Sequence, residues 1–184
     1  MRTMATALDA VDVLGERLVE PLRRVEVLDR GAVLASWAGE GAALWFGWGA
    51  LRLALDRRDD PRRAWVEGAG LAVTLGVESV AVNVGLKGIV RRPRPVLQAR
   101  SGREFRTTSF PSGHAASSFA AATFLGRGGQ RAPLLAAAGV VTASRVVIGV
   151  HHLSDVVAGA AVGVGFGLLG RRITEAVQAR STQP

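Results

Sequence analysis

Five apolar stretches, at roughly 32–55, 64–90, 113–126, 132–150 and 153–170, take up most of this 184-residue chain. A helix rises about 1.5 Å per residue, so crossing the ~30 Å hydrocarbon layer of a bilayer takes about 20 apolar residues. The first two stretches are long enough. The third is short, and its ends are expected to lie in protein or in a water-filled cleft rather than in lipid. Polar segments separate the stretches: 56–63 (DRRDDPRR), the 91–112 loop and 127–131 (RGGQR). Trp37 and Trp65 fall near span starts, where interfacial aromatics belong. Trp45 and Trp48 read as lipid-facing or core residues. The fold class that follows is all-α: an integral membrane helical bundle of about five transmembrane helices.

Residues 5–28 read differently. Leu8, Val11, Leu18, Leu22 and Val25 recur at helical spacing, while Asp9, Asp12, Glu16, Arg17, Glu20, Arg23 and Arg24 fill the other faces. Such a helix is too charged to span and is expected to be amphipathic and interfacial, or to pack beside the bundle. No cleavable signal peptide is expected, because the first 30 residues lack a continuous apolar core. With no cysteine, the chain has neither disulfides nor thiolate metal sites. The net charge of +8 favours anionic partners, lipid headgroups or nucleic acid. Confinement of the basic residues to loops between apolar runs favours membrane lipids and argues against nucleic acid. The expected domains are 1–30 (amphipathic helix), 31–175 (transmembrane domain) and 176–184 (flexible tail).

Three short motifs carry the chemistry: Lys87 followed by Arg94-Pro95, then Pro111-Ser112-Gly113-His114, then Ser144-Arg145 with His151 and Asp155. Lys87 is the single lysine among 23 Lys and Arg residues, and all three histidines (His114, His151, His152) lie in or beside the motifs. If 151–170 is helical, His151 and Asp155 share a face. The carboxylate can then hold one imidazole nitrogen and leave the other free as a nucleophile. Phosphoryl transfer to a histidine needs positive charge around the equatorial oxygens, which Lys87, Arg94 and Arg145 can supply. Pro93 and Pro95 stiffen the base of Arg94. Ser112 is a good N-cap, and with Gly113 it opens a helix N-terminus, an anion site. His114 is placed to protonate a leaving oxygen. With Asp155 committed to His151, a divalent cation lacks oxygen ligands here, so neither metal nor cofactor is expected.

The spacings K-x6-R-P, P-S-G-H and S-R-x5-H-x3-D resemble the signature of the type 2 phosphatidic acid phosphatase (PAP2) family, which shares its site with the vanadium haloperoxidases. The resemblance covers roughly residues 64–170 and matches every signature position. It implies a membrane lipid phosphatase acting through a phosphohistidine at His151. Asp155 would orient that histidine and His114 would serve as general acid. Lys87, Arg94, Arg145, Ser112 and Gly113 would bind phosphate. It departs from the family at His152-Leu153, where members often carry Tyr-Pro. Substrates implied by the family include phosphatidic acid, phosphatidylglycerol phosphate, polyprenyl diphosphates and other prenyl-linked phosphates. Short members with an arginine-rich first loop also resemble the polyprenyl-phosphoribose phosphatases of cell-wall synthesis. The rival readings are a vanadium haloperoxidase, which the spans argue against, and a non-catalytic basic membrane adaptor.

With five spans, the 87–112 loop and the 144–155 turn emerge on one side, so the motifs converge. In a bacterial-type cytoplasmic membrane, arginines outside the motif loops put this side outward by the positive-inside rule; counting the motif-loop arginines reverses the assignment. Arg91, Arg92, Arg100, Arg103 and Arg106 read as loop charges, and His152 as non-catalytic. Glu40, Glu67 and Glu78 lie in or near spans, where a carboxylate is costly. Glu78, nine residues before Lys87, reads as too distant for direct contact and suited to a hydrogen bond across the bundle. Gly159, Gly163 and Gly167 form a small-residue face for close helix approach, within the bundle or, alternatively, in a homodimer.

Overall fold

The computed structural model describes residues 2–95 and 107–180, and these are all-helical. The elements are α1 (Arg2–Arg23), α2 (Glu26–Ala38), α3 (Ala43–Asp56), α4 (Pro61–Val80), a π-helical turn (Ala81–Leu86) running into α5 (Lys87–Val90), α6 (Gly113–Leu125), α7 (Arg131–Val147) and α8 (Leu153–Arg180). Arg100, Arg103, Arg106 and the 181–184 end of the expected tail lie outside the described residues. α8 itself continues to Arg180, past residue 175.

The helix boundaries follow local rules. Asp60 caps α4 by accepting from the Arg63 amide at 3.0 Å, with Pro61 at the first helical position, where no amide hydrogen is needed. α7 ends at Val147, where the Arg23 side chain of α1 donates to the Val147 carbonyl at 2.6 Å and, at 2.9 Å, to the Val146 carbonyl, which also accepts from the Gly149 amide. One expectation fails: no single helix covers 32–55. Between α2 and α3 the chain makes a 3-10 turn over Glu40–Ala42, with Gly41 and Ala42 at φ of 55° and 59°. That left-handed backbone is open to glycine but costs an alanine, and it bends the chain inward beside α6.

α6 is the hub. It packs most extensively on α8, and its alanine-rich surface (Ala115, Ala116, Ala120, Ala121, Ala122) is buried on every side. The short third stretch is therefore enclosed by protein, as its length suggested. Gly159, Gly163 and Gly167 of α8 face it: a Cβ there would come within 2.4, 2.1 and 2.5 Å of the Ser112, Ala116 and Ala120 carbonyl oxygens. This face is occupied inside the bundle, which removes it as the homodimer contact.

Two continuous helical segments, Pro61–Val90 and Leu153–Arg180, are each long and apolar enough to cross a membrane. α3 and α6, of 14 and 13 residues, reach only about 20 Å. Outward-facing Val73, Val77, Val80 and Ile89 on the first segment and Val157, Leu168, Leu169 and Ile173 on the second are exposed. That is the pattern of an integral membrane protein whose solvent is lipid. α1 ends at Arg23, short of Val25, and packs through Gly15 and Val19. It leaves Leu14, Leu18 and Leu22 as an exposed apolar stripe, as an interfacial helix should.

The close α6–α8 approach sets a test. Gly163→Ala is expected to destabilise by about 2 kcal/mol, overpacking outweighing the ~1 kcal/mol gained in helix propensity. Gly165→Ala, whose Cβ would meet nothing within 4 Å, is expected to be neutral or stabilising. Unfolding of both variants in detergent micelles measures the contrast; equal stabilities would discount the close packing.

Candidate active site

The three motifs meet around a cavity of about 480 Å³, lined by Lys87, Arg94, Gly113, His114, Arg145 and His151 among others. Each side chain arrives from a different element. Lys87 opens α5 and is buried, its Nζ donating to Asn83 Oδ1 at 2.8 Å. Arg94 follows α5 in the extended segment. Its guanidinium donates to the Val150 carbonyl at 2.8 Å and the Thr107 carbonyl at 2.9 Å, with Nη1 3.3 Å from His151 Nε2. Arg145, in the last turn of α7, is 2 % exposed and bonds Ser36 Oγ of α2. Ser112 caps α6, its Oγ accepting from the Ala115 amide at 3.4 Å. That leaves the α6 N-terminus, with Gly113, directed at the cavity. His114 Nε2 lies 3.6 Å from Glu40 Oε2 in the 3-10 turn that broke the first stretch.

His151 sits ahead of α8 rather than on it, so its relation to Asp155 is not the expected helix pair. Nδ1 is 3.6 Å from Asp155 Oδ2, beyond hydrogen-bonding distance. Ser109, absent from the motif reading, stands beside both: its Oγ donates to Asp155 Oδ2 at 2.5 Å and is 3.4 Å from His151 Nδ1. Asp155 also accepts from the His152 backbone amide at 2.8 Å, the reciprocal bond of a helix-capping arrangement. The His152 side chain takes no visible part. Burial pushes the His151 imidazole down to about 4, with the Asp155 interaction opposing and the Arg94 and Arg145 charges adding to the shift. The imidazole is therefore neutral at neutral pH, with Nδ1 toward Asp155 and Nε2 toward Arg94 and the cavity. In that state a histidine is a competent nucleophile.

Two sequence readings need correction. Arg92 is no loop charge. Its Nη1 donates to Asp155 Oδ1 at 2.8 Å and Ser154 Oγ at 2.6 Å, and its Nη2 pairs with Asp12 of α1. Asp12 Oδ1 in turn accepts from the Ser154 amide at 2.9 Å. A charge on a loop carries no sequence signal of its partner, so this link could be read only from the fold. Glu78 is the second correction. It makes no hydrogen bond across the bundle, since neither carboxylate oxygen has a partner, and it lines the same cavity as Lys87. Nine residues of regular α-helix would put the two on opposite faces. The π-helical turn between them adds a residue to one turn and rotates them toward one side. Glu67, by contrast, pairs with Arg127 at 3.3 Å, at the far end of the bundle.

The profile of the PAP2 superfamily matches residues 67–178. The decaprenylphosphoryl-5-phosphoribose phosphatase of Mycobacterium tuberculosis is 36 % identical over 165 residues, covering 84 % of this chain and 88 % of the relative. The lipid A 1-phosphatase of Porphyromonas gingivalis is 44 % identical over 75 residues, which are 38 % of this chain and 17 % of that protein. Among solved structures, the transmembrane PAP2-type phosphatidylglycerolphosphate phosphatase of Bacillus subtilis superposes with a TM-score of 0.69 at 20 % identity. It covers 96 % of this chain and 89 % of that one. Aquifex aeolicus LpxE gives 0.62 at 22 % identity, over 85 % and 93 %.

The Asp12–Arg92–Asp155 chain predicts a measurable dependence. Asp12→Ala is expected to destabilise by about 2 kcal/mol, because it strips a partner from a largely buried guanidinium. The Asp12→Ala/Arg92→Ala double variant should lose little more than Arg92→Ala alone. Equilibrium unfolding in micelles reads the cycle; strictly additive losses would show the two residues acting independently.

Proposed function

The chain belongs to the PAP2 superfamily and is a membrane lipid phosphatase, a phosphomonoester hydrolase, and from that premise we propose that its substrate is a polyprenyl-linked 5-phosphoribose. The observation that carries this choice is the extent of the match to the decaprenylphosphoryl-5-phosphoribose phosphatase, which runs along most of both chains. The lipid A 1-phosphatase match takes in only a small part of that relative.

In the proposed mechanism the substrate phosphate lies between Lys87, Arg94 and Arg145 and the α6 N-terminus at Gly113; Ser112, expected from the motif to bind phosphate directly, instead caps α6 and spends its own amide on the Asp155 carbonyl. These donors neutralise the equatorial oxygens as charge builds in the transition state. His151 Nε2 attacks phosphorus, and the bond from phosphorus to the ester oxygen breaks. Burial and the Arg145 charge hold His114 neutral in the empty site; charged by the arrival of the phosphate dianion, with Glu40 3.6 Å away, it gives its proton to the departing alkoxide, which leaves as an alcohol on the lipid. Asp155, steadied by Arg92, keeps His151 Nδ1 oriented by way of Ser109, whose Oγ donates to the carboxylate and lies 3.4 Å from Nδ1. Water, deprotonated by His114, then attacks the phosphohistidine, freeing inorganic phosphate and restoring both histidines. The domain reading is proposed in coarser terms, an interfacial α1 that braces the site through Asp12 followed by the catalytic bundle, because the expected boundaries at 30/31 and 175/176 fall inside α2 and α8. We further assign the cavity to the outer face of the membrane. The opposite ends of the helices carry Arg57, Arg58, Arg62, Arg63, Arg127, Arg131, Arg171 and Arg172, as the positive-inside rule asks of a cytoplasmic surface.

Phosphate trapping tests the mechanism. Acid-labile, base-stable phosphate should accumulate on the wild-type protein during turnover and be absent from His151→Ala, which should be inactive. Full activity in that variant would end the covalent scheme.

Lys87 offers a sharper test. Its ammonium is buried and held by Asn83 in a space already flanked by two guanidiniums. A third planar fork should misplace the phosphate. Lys87→Arg is expected to lose at least about tenfold in kcat/KM, or ~1.4 kcal/mol of transition-state stabilisation. Near wild-type kinetics would remove Lys87 from the phosphate cradle.

A further inference from the structure

The cavity is larger than a phosphate. Lys87, Arg94, Arg145, His114 and His151 have roles in the proposed reaction; Glu78, Ser79 and Asn83 also line the cavity, Asn83 against Lys87. Of these, Glu78 has no explanation in the reaction. It is 1 % exposed, and both carboxylate oxygens lack a hydrogen-bond donor. A carboxylate buried without donors within a membrane span is costly and persists only where something repays it. Lys87 is the nearby cation, but its ammonium bonds Asn83 Oδ1 and faces the phosphate end. The π-helical turn that swings Glu78 toward Lys87 is itself a departure from regular helix, of the sort found at functional sites.

A carboxylate offers acceptors only, on two oxygens. Its natural complement is a pair of hydroxyl donors, and an acidic side chain on ribose hydroxyls is a recurrent solution in nucleotide sites. Ser79 is the next residue and Asn83 lies just over one turn further on; Asn83 donates to Ser79 Oγ at 3.2 Å and accepts from Lys87, which leaves the Ser79 hydroxyl hydrogen and the second Asn83 amide hydrogen to offer. Resting on the substrate reading above, we propose that Glu78, assisted by Ser79 and Asn83, forms a hydroxyl-reading subsite that binds the vicinal hydroxyls of the sugar carrying the scissile phosphate. A diacylglycerol phosphate brings no hydroxyl to this position and leaves Glu78 unsatisfied. The subsite therefore selects against it without touching the phosphate chemistry.

The test compares three substrates on purified protein in micelles: a polyprenyl-phosphoryl-5-phosphoribose, its 2,3-dideoxy analogue, and phosphatidic acid. Wild type is expected to favour the ribosyl lipid over the dideoxy analogue by at least about tenfold in kcat/KM, the scale of a hydrogen bond to a charged group. Glu78→Gln should collapse that preference and lower the ribosyl-to-phosphatidic acid ratio by a similar factor. Equal wild-type rates on the ribosyl and dideoxy lipids overturn the subsite while leaving the phosphoribose reading standing, and this holds even if the variant fails to fold. Equal losses on all three substrates in Glu78→Gln also overturn it, because they would mark a carboxylate that serves only the Lys87 field. No turnover of the ribosyl lipid by wild type, alongside turnover of phosphatidic acid, removes the substrate reading and the subsite with it.

Discussion

The buried carboxylate of Asp155 is the point on which the rest of the site depends. It has no solvent exposure, and its oxygens are met by Arg92 from the first motif loop, Ser109 ahead of the second motif and the backbone amide of His152. Its own carbonyl accepts from the Ser112 amide at 3.0 Å, which ties the start of α8 to the start of α6. A buried charge left without partners is strongly destabilising, so this cluster forms whole or not at all. The segments that carry the cavity-lining motif residues are thereby held in one register. Even α1 is recruited, because Asp12 holds the far side of Arg92 and the Ser154 amide.

Around that point the fold solves a spacing problem. α6 must bring its N-terminus to the centre of the bundle, and it is too short to do so from a lipid-facing position. Enclosure by α4, α7 and α8 removes the need to span, and glycines on α8 let the two helices touch through backbone. Two irregularities then open the cavity. The left-handed step at Gly41 and Ala42 brings Glu40 beside His114, and the π-helical turn in the α4–α5 run brings Glu78 and Lys87 to one wall. Both interrupt regular helix at the level of the site, where backbone polar groups line a polar cavity rather than lipid.

The arrangement around His151 shows how environment sets chemistry. Burial and two guanidiniums disfavour the imidazolium, so the proposed nucleophile is uncharged in the empty site. The same positive charges that depress it are the ones an incoming phosphate dianion would neutralise. One cluster of cations can thus both keep the histidine neutral in the empty site and stabilise the transferring group.

Some of this was decided by the sequence alone. The lengths of the apolar runs and the arginines between them specify a helical membrane protein, because hydrocarbon tolerates little else. The ordered motifs specify which side chains must meet, because their spacing puts 87–112 and 144–155 at the same ends of successive helices. The small-residue face of α8 was legible as a close-approach surface, but its partner was not. Only packing against α6 decided between bundle and dimer. The tertiary structure alone decided the partners of Arg92, Asp12 and Ser109 and the place of Glu78 on the cavity wall. Their partners lie 142 residues away in the case of Asp12 and Ser154, and 46 in the case of Ser109 and Asp155. A lone charge or hydroxyl in a loop has no periodicity from which a partner at that separation can be read. The breaks in the first and second apolar stretches were hidden for a related reason. Hydropathy reports whether a segment is apolar, while a left-handed residue or a π-turn is imposed by what the neighbouring helices and the cavity between them demand of the backbone.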